Sequence, residues 1–232
     1  MKFTESVEKQ GSTLHHLDEY FKASIHLGHR HSRWNPKMSS FIVGSRNGLD
    51  VIDLNQTVTC VKKALKVFRT LLNKKGSTIL LVGNCRENAL FTSALGRKYG
   101  IPFVNAKWVG GTLTNWKVFS RRLKTISNNP KGKNKKMATY LSNIKKTQKK
   151  APDLVVFFNV KGNEIAVNEA AISGVPVIGI VDSDTDPESI TYPIPGNDDS
   201  VRGHYLYTQI FELELEEALK NRRKKTKQYK RY

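Results

Sequence analysis

A chain of 232 residues is long enough to bury a self-sufficient core, and with two cysteines it has no need of a disulfide or metal staple. Its 39 Lys and Arg against 20 Asp and Glu leave a formal charge of +19, while no stretch reaches the roughly 20 apolar residues of a membrane span. A disulfide-knit scaffold and a membrane-embedded protein are thereby excluded. The excess charge is concentrated. Residues 88–152 carry fifteen Lys and Arg and no acid, residues 220–232 carry eight and no acid, and the remainder of the chain stands at −4. Cationic segments of this kind recover their self-repulsion on a polyanion, through ion pairing and counterion release, so nucleic acid is the expected partner. A membrane surface is not, because neither segment sets a broad apolar face beside its lysines. The first residues hold Glu5 and Glu8 without an apolar stretch, so no secretion signal is expected. Cys60 and Cys85 lie in apolar stretches without ligand spacing and are expected to be small core residues of a reduced compartment.

In chain order, Leu14 to Leu27 has the spacing of a short amphipathic helix, followed by a polar, basic loop. Asn47-Gly48 between the apolar runs Phe41–Gly44 and Leu49–Leu54 predicts a β-hairpin. From Gln56, the residues Val58, Val61, Ala64, Leu65, Phe68, Leu71 and Leu72 repeat at helical spacing up to Lys74-Lys75-Gly76. Thr78 to Gly83 reads as a strand buried on both faces, Glu87 to Tyr99 as a helix, and Phe103 to Asn105 as a short strand. After Asn115 comes a basic, helical insertion expected to pack little against the core. The strand–helix alternation then returns with Leu154 to Phe158, Glu164 to Ser173 and Val177 to Val181. Pro187 to Asp199 reads as an irregular loop, and a final helix runs from about Val201 into the basic tail. Alternating strands and helices predict an α/β fold, a parallel sheet with helices on both faces.

Such a sheet binds ligands at its strand carboxyl ends. Gly83-Asn84-Cys85-Arg86 and Gly110-Gly111-Thr112 lack the glycine spacing or lysine of a phosphate cradle. Asp182, Asp184 and Asp186 fail as a calcium loop, because Pro187 and Pro193 stand where glycine and a bidentate glutamate are required. A two-carboxylate hydrolase site in this loop is a minor alternative, against a turn built from Asp and Ser side chains. His26, His29 and His31 could ligate a metal, but Arg30 and Arg33 place positive charge beside them, so no metal is expected. No nucleophile motif is present, and no enzyme activity, cofactor or small-molecule substrate is expected.

The loop from Arg30 to Lys37 instead combines phosphate donors with an aromatic plane, and Lys107-Trp108 and Asn115-Trp116-Lys117 repeat the association. For each tryptophan, packing competes with base stacking. The expected RNA-binding set is Arg30, His31, Arg33, Trp34, Asn35, Lys37, Arg46, Asn47, Lys107, Trp108, Asn115, Trp116, Lys117, Arg121, Arg122, Lys124, Arg202, Arg222, Arg223, Lys224 and Lys225. The rival readings are a sugar-phosphate-binding α/β enzyme and a free-standing nucleic-acid binder.

Several segments resemble one family. His26-Leu27-Gly28-His29, Trp34-Asn35-Pro36-Lys37-Met38, Ile52-Asp53-Leu54 with Thr57, and Trp108-Val109-Gly110-Gly111 leading to Leu113-Thr114-Asn115-Trp116 are similar to the bacterial-type ribosomal protein S-two family. So are Val181-Asp182 with Asp184 and Asp186-Pro187, and the run Ile194-Pro195-Gly196-Asn197-Asp198-Asp199-Ser200-Val201-Arg202. The resemblance implies one flavodoxin-like α/β domain over residues 1–232, with an amino-terminal hairpin, a basic helical insertion over 117–150 and a basic tail over 220–232. It implies a structural place on the small ribosomal subunit between head and body, contacts with ribosomal RNA and neighbouring ribosomal proteins, and a part in translation initiation. The family's insertion is a longer coiled-coil arm, whereas here it is short, interrupted by Pro130 and Gly132, and acid-free. With the high basicity and the absence of a presequence, this suggests a mitochondrial ribosome rather than a plastid or bacterial one.

Overall fold

The computed structural model describes residues 17–121 and 151–229, with side chains described as far as residue 221. The expected first helix ends earlier than its apolar spacing predicts. Helix α1 (Leu17–Lys22) stops where Ser24 adopts a left-handed conformation (φ 60°) and the Ile25 N–H closes on the Tyr20 carbonyl at 3.1 Å. The chain then forms strand β1 (Leu27–Arg30), a segment read from sequence as loop. The hairpin of β2 (Ile42–Arg46) and β3 (Leu49–Ile52) turns at Asn47 and Gly48, both at positive φ as a tight two-residue hairpin requires. Strand β1 pairs antiparallel with β3, so the hairpin is part of a three-stranded sheet ordered β1-β3-β2.

Helix α2 (Leu54–Asn73) starts at Asp53, whose side chain accepts from the Asn55 N–H at 2.9 Å, and it buries Val58, Val61, Ala64, Leu65 and Phe68 along one stripe. Strand β4 (Ile79–Val82), helix α3 (Ala89–Tyr99), β5 (Phe103–Val104), β6 (Leu154–Phe157), α4 (Glu164–Ile172), β7 (Val177–Val181), β8 (Tyr192–Pro195) and α5 (Val201–Tyr229) follow. The five strands β4 to β8 form a parallel sheet ordered β5-β4-β6-β7-β8. In chain order of its own strands this is 2-1-3-4-5, the doubly wound flavodoxin-like arrangement.

Both faces are covered, as continuous apolar strands require. Ile79, Leu81, Leu154, Val156, Ile178 and Ile180 point into one core with α1, α2, α3 and α5. Leu80, Val82, Val155, Phe157, Val177 and Val181 point into the other, with α4, Met38 and Trp108. A helix beginning over residues 116–121 adds Phe119 to that second core, so the root of the insertion is packed in, contrary to expectation. The rest of residues 117–150 lies outside the described residues.

Strand β8 falls where an irregular loop was expected, and its prolines explain both the error and the fold. The Gly196 N–H donates to the Val181 carbonyl at 3.0 Å, so positions 192, 194 and 196 face β7 while Pro193 and Pro195 face the open edge. There their missing N–H groups cost no ladder bond. The outward Pro195 carbonyl accepts from the Thr57 hydroxyl of α2 at 2.8 Å.

Candidate nucleic-acid interface

In this topology the ligand crevice lies where strand order reverses, between β4 and β6. Four asparagines fill it. Asn84 Nδ2 donates to Asn163 Oδ1 at 2.7 Å, Asn163 Nδ2 donates back to Asn84 Oδ1 at 2.9 Å, and Asn88 Nδ2 donates to Asn159 Oδ1 at 2.8 Å. Asn88 Oδ1 also accepts from the Cys85 N–H at 3.1 Å. Gly83 at the end of β4 is needed for close packing, because a Cβ there would collide with Thr92 and crowd Asn88. These amides bond chiefly to one another, and none of the four carries the charge that acid–base chemistry needs.

The three histidines of the amino-terminal segment do not form one cluster. His26 stacks on exposed Phe21 with centroids 4.3 Å apart, and His31 bonds the buried Asp50 carboxylate at 2.7 Å and stacks on Trp34 at 5.3 Å. His29 instead turns toward the loops after β7 and β8. Its Nδ1 lies 3.2 Å from Asp182, and its Nε2 lies 3.3 Å from Asp199 and 3.7 Å from Asp184. The Asp182 carboxylate, with Asp184 and Asp199 behind it, raises the imidazole to about 9 against the opposing effect of burial, so it is held as the cation. The buried Asp198 carboxyl is pushed up by burial and then by Asp182 and Asp199. The expectation that Arg30 and Arg33 govern the charge around the histidines fails for His29, which lies among carboxylates. Ligand atoms of His29, Asp182 and Asp198 lie within 4.8 Å of one another, but the protonated imidazole has no lone pair to give, so a divalent cation would bind here only by displacing the His29 proton. A cleft of about 510 Å³ opens beside them, lined by Gly28, Arg30, Arg33 and Asn197 among others.

The expected RNA-binding residues divide by what the fold does with them. Arg30, Arg33, Arg46, Asn47, Lys107, Asn115, Lys117, Arg121 and Arg202 are exposed. Of these, Arg30, Arg33, Arg46, Lys107, Lys117 and Arg202 have no carboxylate partner among the described residues. Lys37 is exposed but held by Asp186 at 2.8 Å and Glu188 at 2.6 Å, which raise its ammonium further. Asn35 caps the turn that follows it by accepting from the Lys37 N–H at 3.0 Å, and His31 and Trp34 are bound to each other.

For Trp108 packing prevails over stacking: it is 9 % exposed, its ring packs near Phe157, and its N–H points to Glu169 at 3.3 Å, so its place in the expected RNA-binding set is corrected to a buried frame residue. Trp116 is half-buried against Phe119. Arg122 and Lys124 lie outside the described residues, and Arg222, Arg223, Lys224 and Lys225 fall on the last turns of α5. Cys60 and Cys85 are free and half-buried rather than core residues, and burial raises both thiols, Cys85 to about 11.

Comparison with known proteins decides the family. The pattern described as Ribosomal protein S2 matches residues 20–218. The chain belongs to the ribosomal protein S2 family. It is 36 % identical over 216 residues to the small ribosomal subunit protein uS2 of Bartonella tribocorum, covering 86 % of this chain and 80 % of that protein. It is 34 % identical over 211 residues to the uS2 of Brucella melitensis, covering 84 % and 82 %, and 34 % identical over 213 residues to that of Erythrobacter litoralis, covering 84 % and 86 %. Members of this family are structural proteins, which agrees with the filled crevice.

Sequence reasoning missed the residue that organises the S2-type Trp108 to Trp116 motif in this chain. Glu169 on α4, 7 % exposed, accepts from the Gly111 N–H at 2.7 Å and the Leu113 N–H at 2.9 Å as well as facing Trp108. Its only sequence signal is a carboxylate among the small and apolar residues Ala166, Val167, Ala170 and Ala171 of helix Glu164–Ile172. The tryptophans and glycines are thus the frame of a loop that delivers Asn115 and Lys117 to the surface.

Proposed function

We propose that this chain is a structural constituent of the small ribosomal subunit, lodged between head and body, and that it holds ribosomal RNA through backbone-dominated contacts. The contacts are Arg30, Arg33, Arg46, Lys107, Lys117, Arg121 and Arg202 together with the basic segments 117–150 and 220–232. One observation carries the reading. Asp184, Asp186, Glu188, Glu212 and Glu214 are engaged by Lys161, Lys37, Lys98 and Arg69, whereas Arg30, Arg33, Arg46, Lys107, Lys117 and Arg202 meet no carboxylate among the described residues and are open to a polyanion. The short acid-free insertion and the +19 charge favour a mitochondrial ribosome over a plastid or bacterial one, with neighbouring ribosomal proteins as further contacts. Native extract fractionated on sucrose gradients at rising salt tests it: the protein sediments with small subunits, and salt weakens its hold on isolated ribosomal RNA. Sedimentation wholly apart from small subunits refutes the proposal, and organelle fractionation decides the compartment.

A further inference from the structure

Helix α2 bears a cationic surface that the two basic segments do not include. From Leu54 to Arg86 the chain contains no acid, and Lys62, Lys63 and Lys66 stand exposed on the side of α2 opposite Val61, Ala64 and Leu65. Positions three and four apart on a helix are neighbours, roughly 5–6 Å between Cβ atoms, so these ammonium groups share one patch with Asn55, Thr59 and Thr70. The neighbouring cations are treated differently. Arg69, next on the same helix, is clamped by Glu214 through two hydrogen bonds of 2.6 and 2.7 Å, and Lys98 on α3 meets Glu212 at 2.6 Å. No carboxylate reaches Lys62, Lys63 or Lys66 among the described residues. Self-repulsion along three neighbouring lysines is a cost the fold leaves uncompensated.

Beside the patch lies a cleft of about 580 Å³, lined by Phe41, Asn55, Thr59, Cys60, Lys63 and Tyr192. Lys63 thus belongs both to the cationic stripe and to the cleft wall. The wall offers aromatic and aliphatic surface from Phe41, Tyr192 and Pro193 together with the exposed Asn55 amide and Thr59 hydroxyl. Ammonium groups take phosphate oxygens as point charges, and an aromatic-walled cleft with amide and hydroxyl groups takes an unstacked base.

We infer that the outer face of α2, with Lys62, Lys63 and Lys66 and the adjoining Phe41–Tyr192 cleft, is a third docking surface for ribosomal RNA, gripping a phosphate run and accepting one base beside it. The inference rests on the ribosomal reading above and adds a surface to it. An acidic protein segment satisfies the charges but leaves the cleft without a base to fill it.

The test uses the full chain with a small-subunit ribosomal RNA transcript as probe. Affinity is measured from 50 to 200 mM salt for the wild type, for K62A/K63A/K66A and for the charge-retaining K62R/K63R/K66R. Loss of three phosphate contacts lowers the slope of log affinity against log salt by about 2 to 3 and weakens binding on the order of 100-fold at 0.1 M salt, while the arginine variant keeps the wild-type slope. An unchanged melting temperature establishes that the alanine variant is folded. In assembled small subunits, Lys62, Lys63 and Lys66 become protected from amine-reactive reagents, and ultraviolet light crosslinks Tyr192 to RNA. A steep wild-type slope that survives all three alanine substitutions overturns this surface and leaves the ribosomal reading intact. Crosslinks from these lysines to a protein alone overturn RNA as the occupant. A wild type whose binding ignores salt overturns both readings.

Discussion

The two halves of helix α5 put charge to opposite uses. Between Val201 and Leu219 the charged residues are Arg202, Glu212, Glu214, Glu216 and Glu217, and the four acids face cations on other elements: Glu214 and Glu217 bind Arg69 of α2, while Glu212 and Glu216 bind Lys98 of α3. This half also buries Leu206, Tyr207, Ile210, Phe211 and Leu215 in the first core. From Lys220 onward the same continuous helix carries only basic charges and no acid. A single element thus passes from internally balanced to unbalanced charge within one turn. The contrast teaches that net charge says little about an interface until the acids already engaged by the fold are set aside.

Substitutions at four places can break or sharpen this contrast, taken from the largest effect on stability to the smallest. Phe211 meets Phe68 and Phe158 edge-on, with centroids 5.0 and 5.7 Å apart, so F211A opens a cavity in the balanced half and costs about 3–5 kcal/mol in denaturant unfolding. A loss under about 1 kcal/mol would show that this half is not what anchors the helix. Glu169 is the counterpart on the other face of the sheet. E169A strands the Gly111 and Leu113 N–H groups at a cost of about 1–3 kcal/mol, and hydrogen exchange at those two amides should accelerate. Protection that survives the substitution would remove Glu169 from its organising role.

Stability should also fall from neutral toward alkaline pH. His29 has a folded value near 9, above its ordinary 6.5, so its contribution is complete below 6.5 and disappears as pH rises through about 9. The Asp198 carboxyl, raised by burial, acts in the same sense. The midpoint of urea unfolding at pH 6, 7.5 and 9 reports this, and H29Q should give a shallower decline than wild type. Equal slopes would mean that the Asp182 pair is not formed in solution. Smallest for stability is the tail variant R222A/R223A/K224A/K225A, expected within about 0.5 kcal/mol of wild type yet roughly 100-fold or more weaker on ribosomal RNA at 0.1 M salt. A large fall in its melting temperature would contradict the division of α5 into an anchoring half and a binding half.

The elements governed by local pattern were legible from residues alone. The stripe of α2, the Asn47-Gly48 turn and the doubly buried strands β4, β6 and β7 follow from spacing that needs no distant partner. Strand β8 was hidden because Pro193 and Pro195 read as breakers unless the strand is known to lie at an edge. Strand β1 was hidden because Leu27–Arg30 acquires its partner only through β3. The site was less legible than the fold. His29 meets Asp182 across 153 positions of sequence, Asn84 meets Asn163 across 79, and Glu169 meets Leu113 across 56. A single chain read alone carries no signal for such pairings. Composition placed the cations along the chain but could not say which of them, such as Lys37, the fold had already claimed.

The two ends of the parallel sheet bear on the life of the protein before it meets its RNA. Strand β5 is two residues long, and β8 turns two imino nitrogens outward, so neither border offers a run of free N–H groups. Sheet borders of that kind do not template strand addition from a second copy. A newly made chain can therefore wait for assembly without growing into aggregates along its sheet, even when salt or bound polyanion screens the like-charge repulsion between molecules.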